Sequence, residues 1–178
     1  SLHRQRVQRW LPKVLWILKE YGSVGYMVIT MPKEYWLKDR DLLKRFRRYI
    51  GRKLKRMGYG IGKCRYHFAG DKNREYYPHL NILMAGAWIK SDKLEMLKSD
   101  IAKWLGYQGG QVVIDYKYSM RIGRVLHWVK YICRPTLWLI KDDGERESVW
   151  RDVMQGFIND IEWCKPKSVE SMVLDGLF

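Results

Sequence analysis

Acidic residues are scarce in this chain: 19 Asp and Glu stand against 34 Lys and Arg in 178 residues, for a formal charge of +15 and an isoelectric point near 9.8. That imbalance exceeds what solubility requires and points to a polyanionic partner. Cysteine is also sparse. Cys64, Cys133 and Cys164 are odd in number and far apart, which excludes a disulfide scaffold and a zinc site built from close Cys pairs, and fits a reducing compartment. No apolar run approaches the roughly 20 residues of a membrane span, and no signal-peptide pattern opens the chain. A soluble cytoplasmic protein without a membrane partner is expected, and Ser1 in place of Met suggests a trimmed start. Internal repeats are absent.

What the chain does carry is 47% hydrophobic residues, enough for one sizeable core, together with nine Trp and twelve Tyr. A single domain over 1–178 is expected, with a core from about 22 to 135, a basic N-terminal helix over 1–21 and a helical extension over 136–178. Many of the aromatic rings must fill the core. Others beside cations would suit single-stranded nucleic acid, whose bases stack while its phosphates are neutralised.

Periodicity supplies the elements. Val14, Leu15, Ile17 and Leu18 predict a short helix from Pro12 to Glu20, closed by Tyr21-Gly22, and Gly25 to Met31 reads as a buried strand ending at Pro32. Asp39 or Asp41 can cap a helix running to about Met57, with Leu42, Leu43, Phe46, Tyr49, Ile50 and Leu54 on its apolar side. Its other side carries Lys44, Arg45, Arg47, Arg48, Arg52, Lys53, Lys55 and Arg56. So one-signed a run is read as a DNA-phosphate surface rather than a merely solvated face.

In Gly62 to Ala69, Lys63, Arg65 and His67 alternate with Cys64, Tyr66 and Phe68, as in a strand that pairs with Tyr77 to Met84 in a hairpin. Asp92 and Glu95 resemble a capping box at the start of a helix with Leu94, Leu97, Ile101 and Trp104 buried and Gly106 at its end. A strand over Gln111 to Tyr118, a helix from Ile122 to Arg134 and a terminal helix from Glu147 to Trp163 complete the set. The order strand, helix, strand, strand, helix, strand gives the fold class α+β: a ferredoxin-like or RRM-like antiparallel sheet with helices packed on one face, plus N- and C-terminal helices.

Two places carry chemistry. His79 and Asn81, two apart in a strand, project from one face while Leu80, Ile82 and Met84 face the core. An imidazole nitrogen and an amide oxygen so held can grip a divalent cation against a phosphate, or can simply be a capping His and a hydrogen-bonded Asn. On the helix from Ile122, about 100° per residue sorts Ile122, Val125, Leu126, Val129, Ile132 and Cys133 to one side, and Arg124, His127, Lys130, Tyr131 and Arg134 to the other. Tyr131 among cations is either an amphipathic surface ring or a nucleophile whose phenolate Lys130, Arg134 and His127 would favour.

These stretches resemble the HUH endonucleases, in particular single-tyrosine rolling-circle replication initiators and related transposases. MVITMP at Met27 to Pro32 is similar to the family's opening motif, a strand ending in Thr before Pro; PHLN at Pro78 to Asn81 resembles the metal motif; KYICRP at Lys130 to Pro135 resembles the nucleophile motif. The three keep the family's order within residues 25 to 135. The resemblance implies Mn²⁺- or Mg²⁺-dependent nicking and joining of single-stranded DNA at a replication origin, where a hairpin can present the site, on behalf of a plasmid or virus. Tyr131 would form a 5′-phosphotyrosine. No helicase pattern follows, so a separate helicase and polymerase are implied partners.

Two departures stand out. The family's second metal-motif histidine is replaced by Asn81, and the third ligand is expected from the adjacent strand, with His67 the first candidate and Asp71 or Glu75 behind it. Some relatives carry a second Tyr or a Glu four residues before the nucleophile, where this chain has His127. The chief rival is a non-catalytic nucleic-acid-binding module whose Tyr66 and Phe68 stack bases. A structural zinc protein using Cys64, His67, His79 and Cys133 would need residues from opposite strand faces to converge.

Overall fold

The computed structural model describes residues 2–30, 40–59, 61–68, 78–106, 112–134 and 161–162. Its elements are α1 (Leu2–Tyr21), β1 (Val24–Thr30), α2 (Arg40–Arg56), β2 (Gly62–His67), β3 (His79–Ala85), α3 (Ser91–Leu105), β4 (Val113–Ser119), α4 (Ile122–Ile132) and β5 (Ile161–Glu162). The strands form one antiparallel sheet in the order β4-β1-β3-β2-β5. Its first four strands and the helices α2 and α3 make the expected split β-α-β arrangement.

Strand alternation gives the sheet two apolar faces. Met27, Ile29, Leu80, Ile82, Cys64 and Tyr66 pack beneath Leu43, Phe46, Ile50 and Leu54 of α2 and Leu97 and Ile101 of α3. Across the sheet, Val24, Tyr26, Leu83 and Ala85 meet Trp10, Val14 and Ile17 of α1 and Val125, Trp128, Val129 and Ile132 of α4. The two helices of the ferredoxin-like unit thus share one face, and the two segments outside it cover the other. A Cβ on Gly25 would sit 2.6 Å from the Tyr116 hydroxyl, so any larger residue there would push that ring aside.

Some boundaries differ from the sequence reading. α1 fills the helical segment expected over 1–21, so Pro12 does not start it but lies inside it, ten residues beyond Leu2; the Trp10, Val14 and Ile17 stripe offsets the lost backbone hydrogen bond by packing on β1 and β3. Asp92 caps nothing. Lys90 is the N-cap of α3, without a side-chain cap bond, and Asp92 instead accepts from Lys93 N at 2.9 Å within the first turn. Gly106 ends that helix as expected, at φ 72°. The terminal helix predicted to reach Trp163 is not helical at Ile161–Glu162, which pair with Cys64 and Lys63 on the edge of β2; the rest of that segment lies outside the described residues. Among the described residues no helix is long and apolar enough to cross a membrane.

Candidate metal and nucleophile site

Register decides which side chains meet. Thr30 pairs with His79, and His79 with His67, so the three lie in one row across β1, β3 and β2. The next row holds Val28, Asn81 and Arg65. Directly opposed residues point to the same face, and here it is the face shared with Tyr26 and α4. The motif strand and the two supporting strands therefore deliver His79, Asn81, His67 and Thr30 together.

The His67 ring is 1% exposed and makes a T-shaped contact with His79 at 5.5 Å between centroids. Its Nε2 lies 2.9 Å from the Ile132 carbonyl oxygen. A carbonyl only accepts, so Nε2 carries a proton. Burial drives the His67 pKa well below 6.5, against the pull of that hydrogen bond, with His79, Arg65 and Arg134 adding like-charge repulsion. The ring is neutral, and its Nδ1 is left as a buried lone pair with no hydrogen-bond partner. Metal-binding histidines have this form, one nitrogen donating to a carbonyl and the other bare.

Asn81 is 0% exposed, and its Oδ1 accepts from the Tyr26 hydroxyl at 2.8 Å. A carboxamide oxygen has two lone pairs, so this bond leaves one for a cation. The Nδ2 has no partner. Tyr26 is itself held by Trp128 of α4, 5.5 Å away, and by Lys117 above its ring at 5.4 Å.

Tyr131 comes to this group from α4. Its ring lies 5.5 Å from that of His67, and the Arg134 guanidinium carbon is 4.3 Å from the Tyr131 centroid. The guanidinium lies against the ring as a cation–π partner. Tyr131 is half-buried at the edge of the apolar stripe, not on the exposed side with Arg124, His127 and Lys130. Ile122, assigned to the buried arc, is 57% exposed, and Trp128 takes a core place instead. The start of α4 is exposed at residues 122–124 whereas residues 131–134 are half-buried or buried, so apolar periodicity alone misplaces both ends.

That last turn is fastened through its carbonyls. Arg65 Nη1 donates to Ile132 O at 2.6 Å and to Arg134 O at 2.8 Å; Arg6 Nη1 donates to Cys133 O at 2.9 Å; His3 Nε2 lies 3.1 Å from Lys130 O. The final carbonyls of a helix lack partners within it and carry its negative end, so cations are the natural caps. Reading the sequence found His67 but missed Arg65 and Tyr26. An Arg in phase with His67 on a buried strand was the available signal for Arg65; nothing local marks Arg6, 127 residues from its acceptor.

The basic helix α2 is on the opposite face of the sheet from Tyr131, His67 and His79. Of its cations Arg47 is 6% exposed and Lys53 is ion-paired with Asp100, so neither is a ready phosphate contact. Arg45, Arg48, Arg52, Lys55 and Arg56 are exposed and Lys44 half-buried. The stacking platform of the binding-module alternative does not form: Tyr66 and Phe68 are 3% and 2% exposed beneath α2. Cys64 points to that same side, away from His67 and His79, which removes the four-residue zinc arrangement.

No family model, curated protein or solved structure shows significant similarity to the chain. The fit to a cation rests on its own side chains. No cluster of three His, Cys, Asp or Glu occurs among the described residues, yet two imidazoles and a carboxamide on adjoining strands, one with a bare buried lone pair, are a donor set that suits a divalent ion. Asp71 and Glu75 lie outside the described residues.

Proposed function

We propose that the protein is a metal-dependent endonuclease and strand transferase of the HUH type, acting on single-stranded DNA to initiate rolling-circle replication of a plasmid or virus. One observation carries the reading: the contact chain from Tyr131 through His67 to His79, which joins a nucleophile-bearing helix to a pair of imidazoles on neighbouring strands. Nothing in a packed core requires a phenol, two histidines and an asparagine in one place. A role on replicating DNA implies an intracellular location.

His79, Asn81 and His67 would hold Mn²⁺ or Mg²⁺, and two imidazoles suit Mn²⁺ better. When bound, the ion supplies Lewis-acid polarisation of a phosphoryl oxygen. Tyr131 Oη attacks phosphorus, forming a P–O bond to tyrosine while the bond to the 3′ oxygen breaks; that oxygen takes a proton from water and leaves as a free 3′ hydroxyl. The phenol proton passes to water or to His127, one turn earlier on the exposed side of α4. Arg134, stacked against the Tyr131 ring, would offset the negative charge of the phosphate. Joining is the reverse attack by a 3′ hydroxyl on the phosphotyrosine. A transposase of this type would share every step and differ in its DNA.

The test is a pool of end-labelled single-stranded oligonucleotides incubated with Mn²⁺. A covalent protein–DNA adduct that survives denaturation is expected from the parent and none from Tyr131→Phe. Equal adduct from that variant removes Tyr131 as the nucleophile.

A further inference from the structure

The carbonyls at the C-terminal end of α4 receive four donor side chains from two other elements. Arg65 and His67 come from β2, and His3 and Arg6 from the first turns of α1. Arg65 is central. Its side chain is buried, it pairs across the sheet with Asn81, and one nitrogen spans the Ile132 and Arg134 carbonyls, which flank Cys133 just after Tyr131. A solvent-facing helix end would take these bonds from water. Four side chains and two buried arginines are more than ordinary capping asks for.

We propose that Arg65, assisted by Arg6, is a positioning residue: it fixes the last turn of α4 so that Tyr131 is held against His67 at the cation site. The inference rests on the nuclease reading and adds a device to it. Two consequences follow from the chemistry. Arg65 and His67 share the Ile132 carbonyl, so the strand that bears a cation ligand also sets the height of the nucleophile helix above the sheet. In addition, the guanidinium groups neutralise the negative end of α4, which would otherwise repel the phosphate that Tyr131 must reach. Arg65 touches neither DNA nor reacting atoms in this scheme. It acts on rate through geometry alone, and reactions lose about a hundredfold for a displacement on the order of 1 Å.

Cys133 gives an independent readout, because it is 0% exposed, forms no disulfide and sits in the turn the clamp holds. The experiment compares the full chain with Arg65→Gln, Arg65→Lys and Arg6→Gln. Alkylation of Cys133 is followed by peptide mass mapping, and adduct formation is measured at saturating and subsaturating oligonucleotide. Arg65→Gln should label at Cys133 roughly tenfold faster, as expected for loss of a charged hydrogen bond, and lose about a hundredfold in adduct rate at saturating DNA. Its DNA affinity should stay near that of the parent. Arg65→Lys, which keeps charge and one donor, should recover part of both losses, and Arg6→Gln should show a smaller version with a better chance of folding. Unchanged Cys133 protection in both Gln variants overturns the clamp, as does an adduct rate that falls only in step with DNA affinity. If the parent forms no adduct at all, the nuclease reading fails and the catalytic meaning of the clamp with it, while the labelling still decides whether the clamp holds α4.

Discussion

His67 and His79 are direct cross-strand partners on β2 and β3, with their rings 5.5 Å apart at near right angles. Neighbouring imidazoles that face the same way repel one another once protonated and share a cation readily when neutral. His79→Ala and His67→Ala should each weaken Mn²⁺ binding by about 10- to 100-fold, read by calorimetry. If the exposed cations of α2 hold the phosphates, salt-sensitive DNA binding should survive both changes. Loss of metal and DNA binding together would count against separate sites.

The depressed pKa of His67 sets a pH dependence of stability. In the unfolded chain this imidazole takes up a proton as pH falls through about 6.5, whereas burial keeps the folded ring neutral to a lower pH. Below that point the unfolded state binds more protons, so stability drops with falling pH and is level above it. The slope attributable to His67 cannot exceed about 1.4 kcal/mol per pH unit. Urea unfolding at pH 7.5 and 5.5 should therefore show a decline that His67→Gln flattens; an equal decline in both proteins would assign it to another group.

Tyr26→Phe should act on the site without touching it. The hydroxyl fixes the Asn81 carboxamide from behind, and outer partners of metal ligands are worth about tenfold or more in affinity. Removing it also leaves a buried oxygen short of a donor, which costs about 1–3 kcal/mol. The variant should bind Mn²⁺ more weakly and melt lower, and in an Asn81→Ala background the same Tyr26→Phe change should add little to the metal defect. Full additivity of the two changes would show that Tyr26 does not work through Asn81.

Much of this was legible in the chain because period-two alternation fixes both pairing and direction. His79 and Asn81 were placed on one face from spacing alone, whereas spacing did not fix the face of His67, which the register sets opposite His79. The order of elements from β1 to β4 was equally readable from apolar periodicity and from glycines such as Gly106. What spacing could not supply was the uneven burial of α4, with Ile122 exposed and Tyr131 half-buried, since the C-terminal end of that helix is held by Arg65 and Arg6 from far along the chain. Pro12 misled for a related reason. Proline is a good first residue of a helix, and only the tertiary packing of Trp10 and Val14 lets α1 continue through it.

The burial split within α2 yields the last expectation. Arg47 and Arg48 are adjacent in sequence, but Arg47 is 6% exposed and turned toward the body of the protein, while Arg48 is exposed with Arg45 and Arg52. If exposed cations supply the nonspecific hold on DNA, Arg48→Ala and Arg52→Ala should each flatten the dependence of log affinity on log salt by about 0.7 for a single strand. Stability should barely change, because surface substitutions usually stay within about 0.5 kcal/mol. Arg47→Ala should do the reverse, lowering stability by roughly 1–3 kcal/mol as a buried polar group is lost and leaving the salt slope alone. Since α2 lies across the sheet from Tyr131, adduct formation at saturating DNA should be the same in all three variants. A fall in that rate with Arg48→Ala or Arg52→Ala would mean that DNA held on α2 is drawn round the sheet edge into the reaction, and that the two faces act on one strand at once.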